Sequence, residues 1–323
     1  MAWIVSLRLL VGLSSLVFLG SVFFSHRHRR PSADTLIKRA GEHLPLDIPA
    51  EEPFLVVSLL IHEDVAWFKE WITIAHAALG DIRHLIVASV SPETYDNYSA
   101  LNLPDVFFSA PTFKNKWGID LLRGHVNNVR YAAMHFPNFT HAVLAASNNM
   151  WIRRVDPTWN GFALSTHGDC GCECHTPAVR NVTGWHWEKL SYDQTFWDFV
   201  DAKHRPVCMG QSEGFLATRQ AWVTAIEYME SLLTHDILTV PGKTYADVAY
   251  PAEEIYLCTA FCANNLSKIT VSRNFWRIPD MMPMPKHIAE ARRDGMMLVK
   301  RVPRTPGNGI VESCVSGWLG TDV

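Results

Sequence analysis

Apolar runs alternate with helix-like segments from residue 54 to residue 147, and this alternation limits the chain to few folds. The first run, Phe54–Ile61 (FLVVSLLI), is almost purely apolar, as expected of a strand that is buried on both faces. Asp64 then stands where a helix N-cap is expected, and apolar residues recur at helical spacing up to Gly80. The pattern predicts an α/β fold with a mostly parallel sheet flanked by helices.

The same reasoning places the remaining elements. The predicted strands are His84–Val90, Val106–Ser109, His141–Ser147 and Gly295–Val302, and the predicted helices are Gly118–Phe136, Thr218–Leu233 and Glu253–Ala263. The segment 157–210 reads as loops with one helix. Ligands of parallel sheets bind beyond the carboxyl ends of the strands. Asn148 and Asn149 follow such an end and are therefore candidate ligand-binding residues.

Composition and missing motifs exclude several classes of protein. The 323 residues are 48% hydrophobic and 19% charged, which excludes a mainly disordered chain. A net charge of -3 argues against a nucleic-acid binder that neutralises phosphates. The chain has no P-loop, no dinucleotide-binding glycine motif after a strand and no nucleophile elbow, so nothing supports a P-loop enzyme, a dehydrogenase or an α/β-hydrolase.

The N-terminus predicts a membrane anchor. Residues 2–24 are mostly apolar and carry no charge apart from Arg8, and the basic run His26–Arg30 follows them. We expect a signal anchor over 1–25, a stem over 26–52 and a folded domain over 53–323. A cleaved signal peptide and a buried core helix are the alternatives. The basic flank would keep the folded domain in the cytosol.

Four N-x-S/T sequons, at Asn97, Asn138, Asn181 and Asn265, favour the opposite orientation. We therefore predict a single-pass protein of the Golgi or endoplasmic reticulum membrane with its C-terminal domain in the lumen.

Seven cysteines favour disulfides in such a compartment, and their odd number leaves at least one outside any intrachain pair. Cys258 and Cys262 fall on one face of a predicted helix, so each is expected to bridge elsewhere. The run Asp169–His175 (DCGCECH) suggests zinc, which would make this a metal-binding membrane protein. However, the C-x-C-x-C spacing is too tight to wrap one ion easily. We favour disulfides or free thiols there and expect no metal.

Charged residues suggest a phosphate site and a base. The strand end Ser147–Asn149 offers amides where many sugar-nucleotide enzymes have a metal-binding Asp-x-Asp, so a bound diphosphate would need protein cations. Lys300, Arg301 and Arg304 are candidates, although a solvated basic tail also explains them. The candidate bases are Glu213, Glu253 and Glu254, and helix capping is the alternative explanation for the last two.

These features together resemble the branching β-1,6-N-acetylglucosaminyltransferases and peptide O-xylosyltransferases. The similar segments, in chain order, are Leu55–Leu79, Lys116–Phe136, Thr140–Ile152, Gly214–Val223, Tyr250–Thr259 and Leu298–Val302. The resemblance implies a GT-A-like, Rossmann-like fold and a Golgi enzyme that transfers a sugar from a nucleotide sugar to a glycan or glycoprotein hydroxyl with inversion. It also implies that basic residues without a metal hold the donor diphosphate and that a glutamate is the base. Trp117, Trp185 or Trp187 could stack on a sugar, although core packing also explains each of them.

The chain departs from that family at specific positions. Gln220 occupies the position of the family's glutamate in a Thr-Arg-Gln segment, and Ala88–Val90 replaces a His-x-Asp near the nucleotide. The family's aspartate in the turn after the strand is either replaced by Asn149 or absent. The alternative to a transferase is therefore a non-catalytic lumenal protein of the same fold that binds glycans or a partner.

Overall fold

A computed structural model describes residues 52–109, 119–163, 170–175, 185–203, 205–234, 241–274 and 283–319. The predicted anchor and the stem up to residue 51 lie outside these ranges, as does Trp117. No helix in the described ranges is long and apolar enough to cross a membrane.

Eleven strands form the described sheets. They are β1 (Phe54–Leu60), β2 (Arg83–Ser89), β3 (Val106–Phe108), β4 (His141–Ala146), β5 (Asn149–Trp151), β6 (Glu173–His175), β7 (Val207–Met209), β8 (Phe215–Thr218), β9 (Ile269–Thr270), β10 (Ser272–Arg273) and β11 (Leu298–Lys300). The six-stranded main sheet has the order β3-β2-β1-β4-β8-β9. β1 to β4 are mutually parallel, whereas β8 and β9 are antiparallel to their neighbours. The predicted α/β class with a mostly parallel sheet is confirmed.

Ten α-helices accompany the strands in the described ranges. They are α1 (Val65–Leu79), α2 (Tyr95–Ser99), α3 (Ile119–His135), α4 (Trp185–Leu190), α5 (Gln194–Lys203), α6 (Arg219–Tyr228), α7 (Tyr245–Val248), α8 (Ala252–Ala263), α9 (Pro285–Arg293) and α10 (Gly309–Val315). Hydrophobic clusters cover both faces of the main sheet, so β1 is buried along its whole length.

Helix α1 forms as its sequence predicts and fixes the loop after β4. The Asp64 carboxylate accepts a hydrogen bond from the Trp67 amide at 2.7 Å, and Gly80 ends the helix with a positive φ of 49°. The buried Trp67 and Trp71 indoles donate to the backbone oxygens of Ser147 and Asn149, at 2.9 and 2.7 Å. Helix α1 therefore packs on the sheet and holds the chain immediately beyond β4.

Several predicted boundaries are wrong. The helix predicted over Thr218–Leu233 ends at Tyr228 and continues as a 3₁₀ turn over Glu230–Thr234. The segment 157–210 contains α4 and α5 instead of one helix, and it also contributes β6 and part of β7. Asp193 begins α5 by accepting a hydrogen bond from the Phe196 amide at 2.9 Å.

A second sheet brings β11, the strand predicted over Gly295–Val302, close to the end of β4. Its order is β10-β11-β5, and β11 runs antiparallel to β5 with Lys300 opposite Asn149. Glu213 precedes β8, and the Gly214 amide next to it donates to Leu144 near the end of β4 at 2.7 Å. Residues distant in sequence thus meet at the carboxyl ends of β1 and β4, a region that we call the carboxyl edge.

Three disulfides fix the segment 170–175 to the protein core. Cys170 pairs with Cys262, Cys172 with Cys258, and Cys174 with Cys208. Each α8 cysteine therefore bridges away from the other, as predicted, and the remaining cysteine, Cys314, is free and buried. Each closed loop stabilises the fold by about 2–4 kcal/mol.

Gly214→Ala is expected to destabilise the fold. Gly214 has a φ of +73°, and an added Cβ would lie 2.3 Å from the Ser272 Cβ. Gly242 has the same φ but open space around it, so Gly242→Ala meets only the conformational cost of about 1–2 kcal/mol. Urea unfolding should show a clearly larger loss for Gly214→Ala. Equal losses in the two variants would refute the close approach of Gly214 to β10.

Candidate active site

The strand order reverses between β1 and β4, which creates the crevice where open α/β sheets bind ligands. After β1, the strands β2 and β3 are added on one side of β1, and β4 is then added on the opposite side of β1. His62 and Glu63 follow β1, while Ser147 and Asn148 follow β4. The predicted ligand-binding asparagines are therefore at this crevice.

A polar cluster centred on Glu63 occupies the crevice. One oxygen, Glu63 Oε1, accepts from Ser147 Oγ at 2.6 Å and pairs with Arg304 Nη1 at 2.7 Å. Tyr98 OH donates to the Glu63 backbone oxygen, and Arg304 Nη1 lies 3.1 Å from His62 Nε2. Arg304, predicted to bind a nucleotide sugar, therefore holds the turn after β1. Glu63 is a member of this site that the sequence did not indicate.

Asn148 and Asn149 shape the turn beyond β4. Asn149 is fully buried, and its Oδ1 accepts from the Ala146 amide at 2.8 Å. The Asn148 backbone oxygen accepts from the Val302 amide at 3.0 Å. Neither Asn148 Oδ1 nor Asn149 Nδ2 finds a hydrogen-bond partner among the described residues. Asn149 therefore has a structural role, while both side chains keep unused polar atoms beside the crevice.

A second group, which we call the carboxylate–lysine cluster, contains Glu213, Glu253, Glu254, Lys268 and Lys300. The Glu213 carboxylate forms an ion pair with Lys300 Nζ, and its other oxygen accepts from Ser212 Oγ at 3.1 Å. Both charged side chains are largely buried. Burial favours the uncharged form of each group, but the pair overcomes this effect. The pKa of Glu213 is lowered by Lys300, and the pKa of Lys300 is raised by Glu213 and Glu254.

The two glutamates at the start of α8 have raised pKa values. Glu253 is buried, its Oε2 lacks a described hydrogen-bond partner, and burial together with Glu254 and Glu213 raises its pKa well above the usual range. Glu254 is partly exposed, and burial together with the charge of Glu213 raises its pKa to about 7. Lys300, Lys268 and Arg301 act on Glu254 in the opposite direction. Burial thus favours the uncharged form of Glu253, whereas Glu254 titrates near pH 7.

Lys268 is a member of the cluster that the sequence did not indicate. It is buried just before β9, with Nζ 3.4 Å from Cys258 Sγ and 4.3 Å from the centre of the Phe215 ring. A Cβ on Gly210 would lie 3.3 Å from Lys268 Nζ and 2.8 Å from Cys258 Sγ. Glycine at position 210 therefore leaves room for the Lys268 side chain. The pairing of β9 with β8 and the Cys172–Cys258 disulfide bring these residues together. The sequence gives no sign of this, because Lys268 follows a sequon and belongs to no charged motif.

Arg301 adds a cation in an unusual backbone conformation. Four non-glycine residues have positive φ in the described ranges, and the other three are Asn or Asp, which tolerate this region. Arg301 has a φ of 71° and is exposed. Long side chains pay about 1–2 kcal/mol for such a conformation, and this kind of strain concentrates at functional sites.

The carboxylate–lysine cluster and Arg301 together carry a positive charge. Lys268, Lys300 and Arg301 face the Glu213 carboxylate, while burial favours the uncharged form of Glu253 and Glu254 titrates near pH 7. Such a group favours an anion, and it keeps beside that anion a carboxyl group that can take up a proton.

A chain of buried polar side chains lies behind Glu213. His125 Nδ1 is 2.8 Å from Ser58 Oγ, and Asn128 Nδ2 donates to the same oxygen at 3.0 Å. Burial lowers the pKa of His125 to about 3, although the charge of Glu213 opposes this. His125 is therefore neutral and supports the site as part of a hydrogen-bonded core.

The other residues predicted for the site lie elsewhere or outside the described residues. Gln220 follows β8 at the opposite end of the sheet, where the preceding Arg219 amide donates to Thr140 at 2.8 Å. The missing carboxylate at Gln220 therefore does not affect the carboxyl edge. Trp117, and the side chains of Trp185 and Trp187 in α4, lie outside the described residues.

The three described cysteines that lie close enough together to hold a metal ion are all oxidised. Cys170, Cys174 and Cys262 are close enough to hold an ion, but all three are in disulfides. This arrangement agrees with the preference for disulfides in the C-x-C-x-C run.

No protein-family model matches the chain, and no curated protein sequence matches it significantly.

Lys300→Met is expected to cost about 3 kcal/mol of stability, because it leaves the buried Glu213 carboxylate without its cation. The pKa of Glu213 should then rise, so the loss should grow as the pH increases from 5 to 8. The exposed Lys286 on α9 provides the control, and Lys286→Met should change stability by less than about 0.5 kcal/mol. Chemical denaturation at several pH values measures both variants. Equal stability of the two variants would contradict the ion pair.

Proposed function

We propose that the chain is a glycosyltransferase of the secretory pathway. It transfers a sugar from a nucleotide-sugar donor to a hydroxyl of a glycan or glycoprotein, with inversion and without a metal. The observation that carries this proposal is the placement of Glu254, with a pKa of about 7, beside the Glu213–Lys300 ion pair at the carboxyl edge. The α/β fold fits the GT-A-like architecture that the sequence resemblance implies.

The cations are suited to a nucleotide diphosphate. Lys300 is held in place by Glu213, Lys268 is enclosed by the disulfide and Gly210, and Arg301 is exposed at the end of β11. Fixed cations stabilise the negative charge that develops on a departing diphosphate without reorganising during the reaction. Asn148 and Asn149 leave no carboxylate pair at the turn after β4 for a metal, so the protein's own charges neutralise the diphosphate.

Glu254 is the best suited of the three candidate bases. Glu213 is committed to Lys300, and the raised pKa of the buried Glu253 favours its protonated form. Glu254 is partly exposed and exchanges a proton near pH 7, as a general base requires. It removes the proton of the acceptor hydroxyl, whose oxygen bonds to the anomeric carbon as the bond from that carbon to the diphosphate breaks.

A thermal-shift screen of the folded domain with UDP- and GDP-sugars, in EDTA and in manganese, tests the proposal. We expect one donor to raise the melting temperature in EDTA. Arg301→Asn should weaken this effect by removing a cation, because asparagine accepts the same backbone conformation. The control Arg293→Ala, on the exposed part of α9, should respond like the wild type.

Turnover then separates an enzyme from a binding protein. With the identified donor, Glu254→Gln should retain donor binding but lose at least about 100-fold in rate. If the donor raises the melting temperature only when manganese is present, the proposed metal independence is contradicted. Donor binding without turnover in the wild type would favour the non-catalytic alternative, and a folded domain that binds no donor would overturn the proposal.

A further inference from the structure

Two of the predicted sequons lie in exposed turns at the end of the sheet opposite the candidate site. Asn138 lies between α3 and β4, and Asn265 lies between α8 and β9. Both asparagines are exposed, whereas Phe139 and Ser267 of the same sequons are buried. Each turn therefore points its asparagine outward while its neighbours anchor the backbone.

Both positions are well separated from the carboxyl edge. The six residues of β4 separate Asn138 from that edge by about 20 Å. Glu254 lies in the first turn of α8 and Asn265 follows the end of that helix, which puts about 16 Å between these two residues. Lys268 of the cluster follows Asn265 by three residues, but its side chain is buried whereas that of Asn265 is exposed. A large group attached at either asparagine therefore leaves the site open. Asn97 is also exposed, but Tyr98 beside it contacts Glu63 at the carboxyl edge, so the inference does not extend to Asn97.

The disulfides provide an independent indication of the compartment. Six of the seven cysteines pair, and they join segments up to 92 residues apart. Structural disulfides form in the oxidising secretory pathway, which is where N-glycosylation takes place.

We propose that Asn138 and Asn265 are N-glycosylated. The oligosaccharide comes from a lipid diphosphate donor of the host. A bond forms between its C1 and the asparagine Nδ2 as the bond from C1 to the phosphate oxygen breaks, the amide loses one proton and the lipid diphosphate leaves. This proposal does not depend on the glycosyltransferase activity.

Site mapping of the full chain from a eukaryotic secretory host tests the proposal. Enzymatic removal of N-glycans in ¹⁸O-water converts each occupied asparagine into labelled aspartate, which peptide mass spectrometry locates. We expect label at Asn138 and Asn265. Asn102, which is exposed but followed by Leu-Pro, should remain unlabelled.

Variants must remove the acceptor without disturbing the fold. Thr140 Oγ1 accepts a hydrogen bond from the Phe54 amide at 2.9 Å, so replacing the sequon threonine with alanine would also disturb β1. Asn138→Asp and Asn265→Asp avoid this, and aspartate tolerates the positive φ of residue 265. Each should lose one glycan mass, whereas Thr140→Ser, which preserves the sequon, should lose none. If Asn138 and Asn265 both remain unlabelled, the proposal is overturned. This holds even if the cysteines of the same protein are paired in disulfides, because the disulfides indicate only the compartment.

Discussion

The buried ion pair between Glu213 and Lys300 joins two sheets at the carboxyl edge. Glu213 stands before β8 of the main sheet, and Lys300 ends β11 of the second sheet. Removing one partner of a buried pair leaves an uncompensated charge, which costs more than the pair itself contributes. The pair therefore adds a buried charged contact to the backbone connections between the two sheets, and the charge of Glu213 helps to raise the pKa of Glu254 and Glu253.

The charges of this region have distinct roles that follow from burial. Full burial commits Glu213 to an ion pair and Glu253 to its neutral form, whereas partial exposure leaves Glu254 able to exchange a proton near pH 7. Glu63 similarly fixes Arg304 at the neighbouring switch point. Glu213 and Glu63 therefore hold Lys300 and Arg304 in place, and Glu254 is available for proton transfer.

The sequence predicted those features that depend on local pattern. The apolar run of β1, the Asp64 cap and the helical spacing of α1 are properties of adjacent residues, and the structure confirms them. The disulfide partners could not be predicted, because the ladder from Cys170 to Cys174 pairs with residues 34 to 92 positions away. Lys268 and Glu63 were missed for the same reason, since the partners that reveal their roles are distant in sequence: Glu254 for Lys268, and Ser147 and Arg304 for Glu63. The sequence indicated all three candidate bases. Their different burial in the structure is what distinguishes Glu254 from Glu213 and Glu253.

The proposed chemistry requires the Glu254 carboxyl group to exchange a proton near pH 7. Carbon-13 NMR of glutamate-labelled protein, titrated from pH 4 to pH 9, measures this directly. We expect a resonance that titrates near pH 7, is absent in Glu254→Gln and is unchanged in Glu312→Gln, a control on the exposed side of α10. If the Glu254 carboxyl instead titrates below about pH 5, like a solvated glutamate, the proposed base is ruled out.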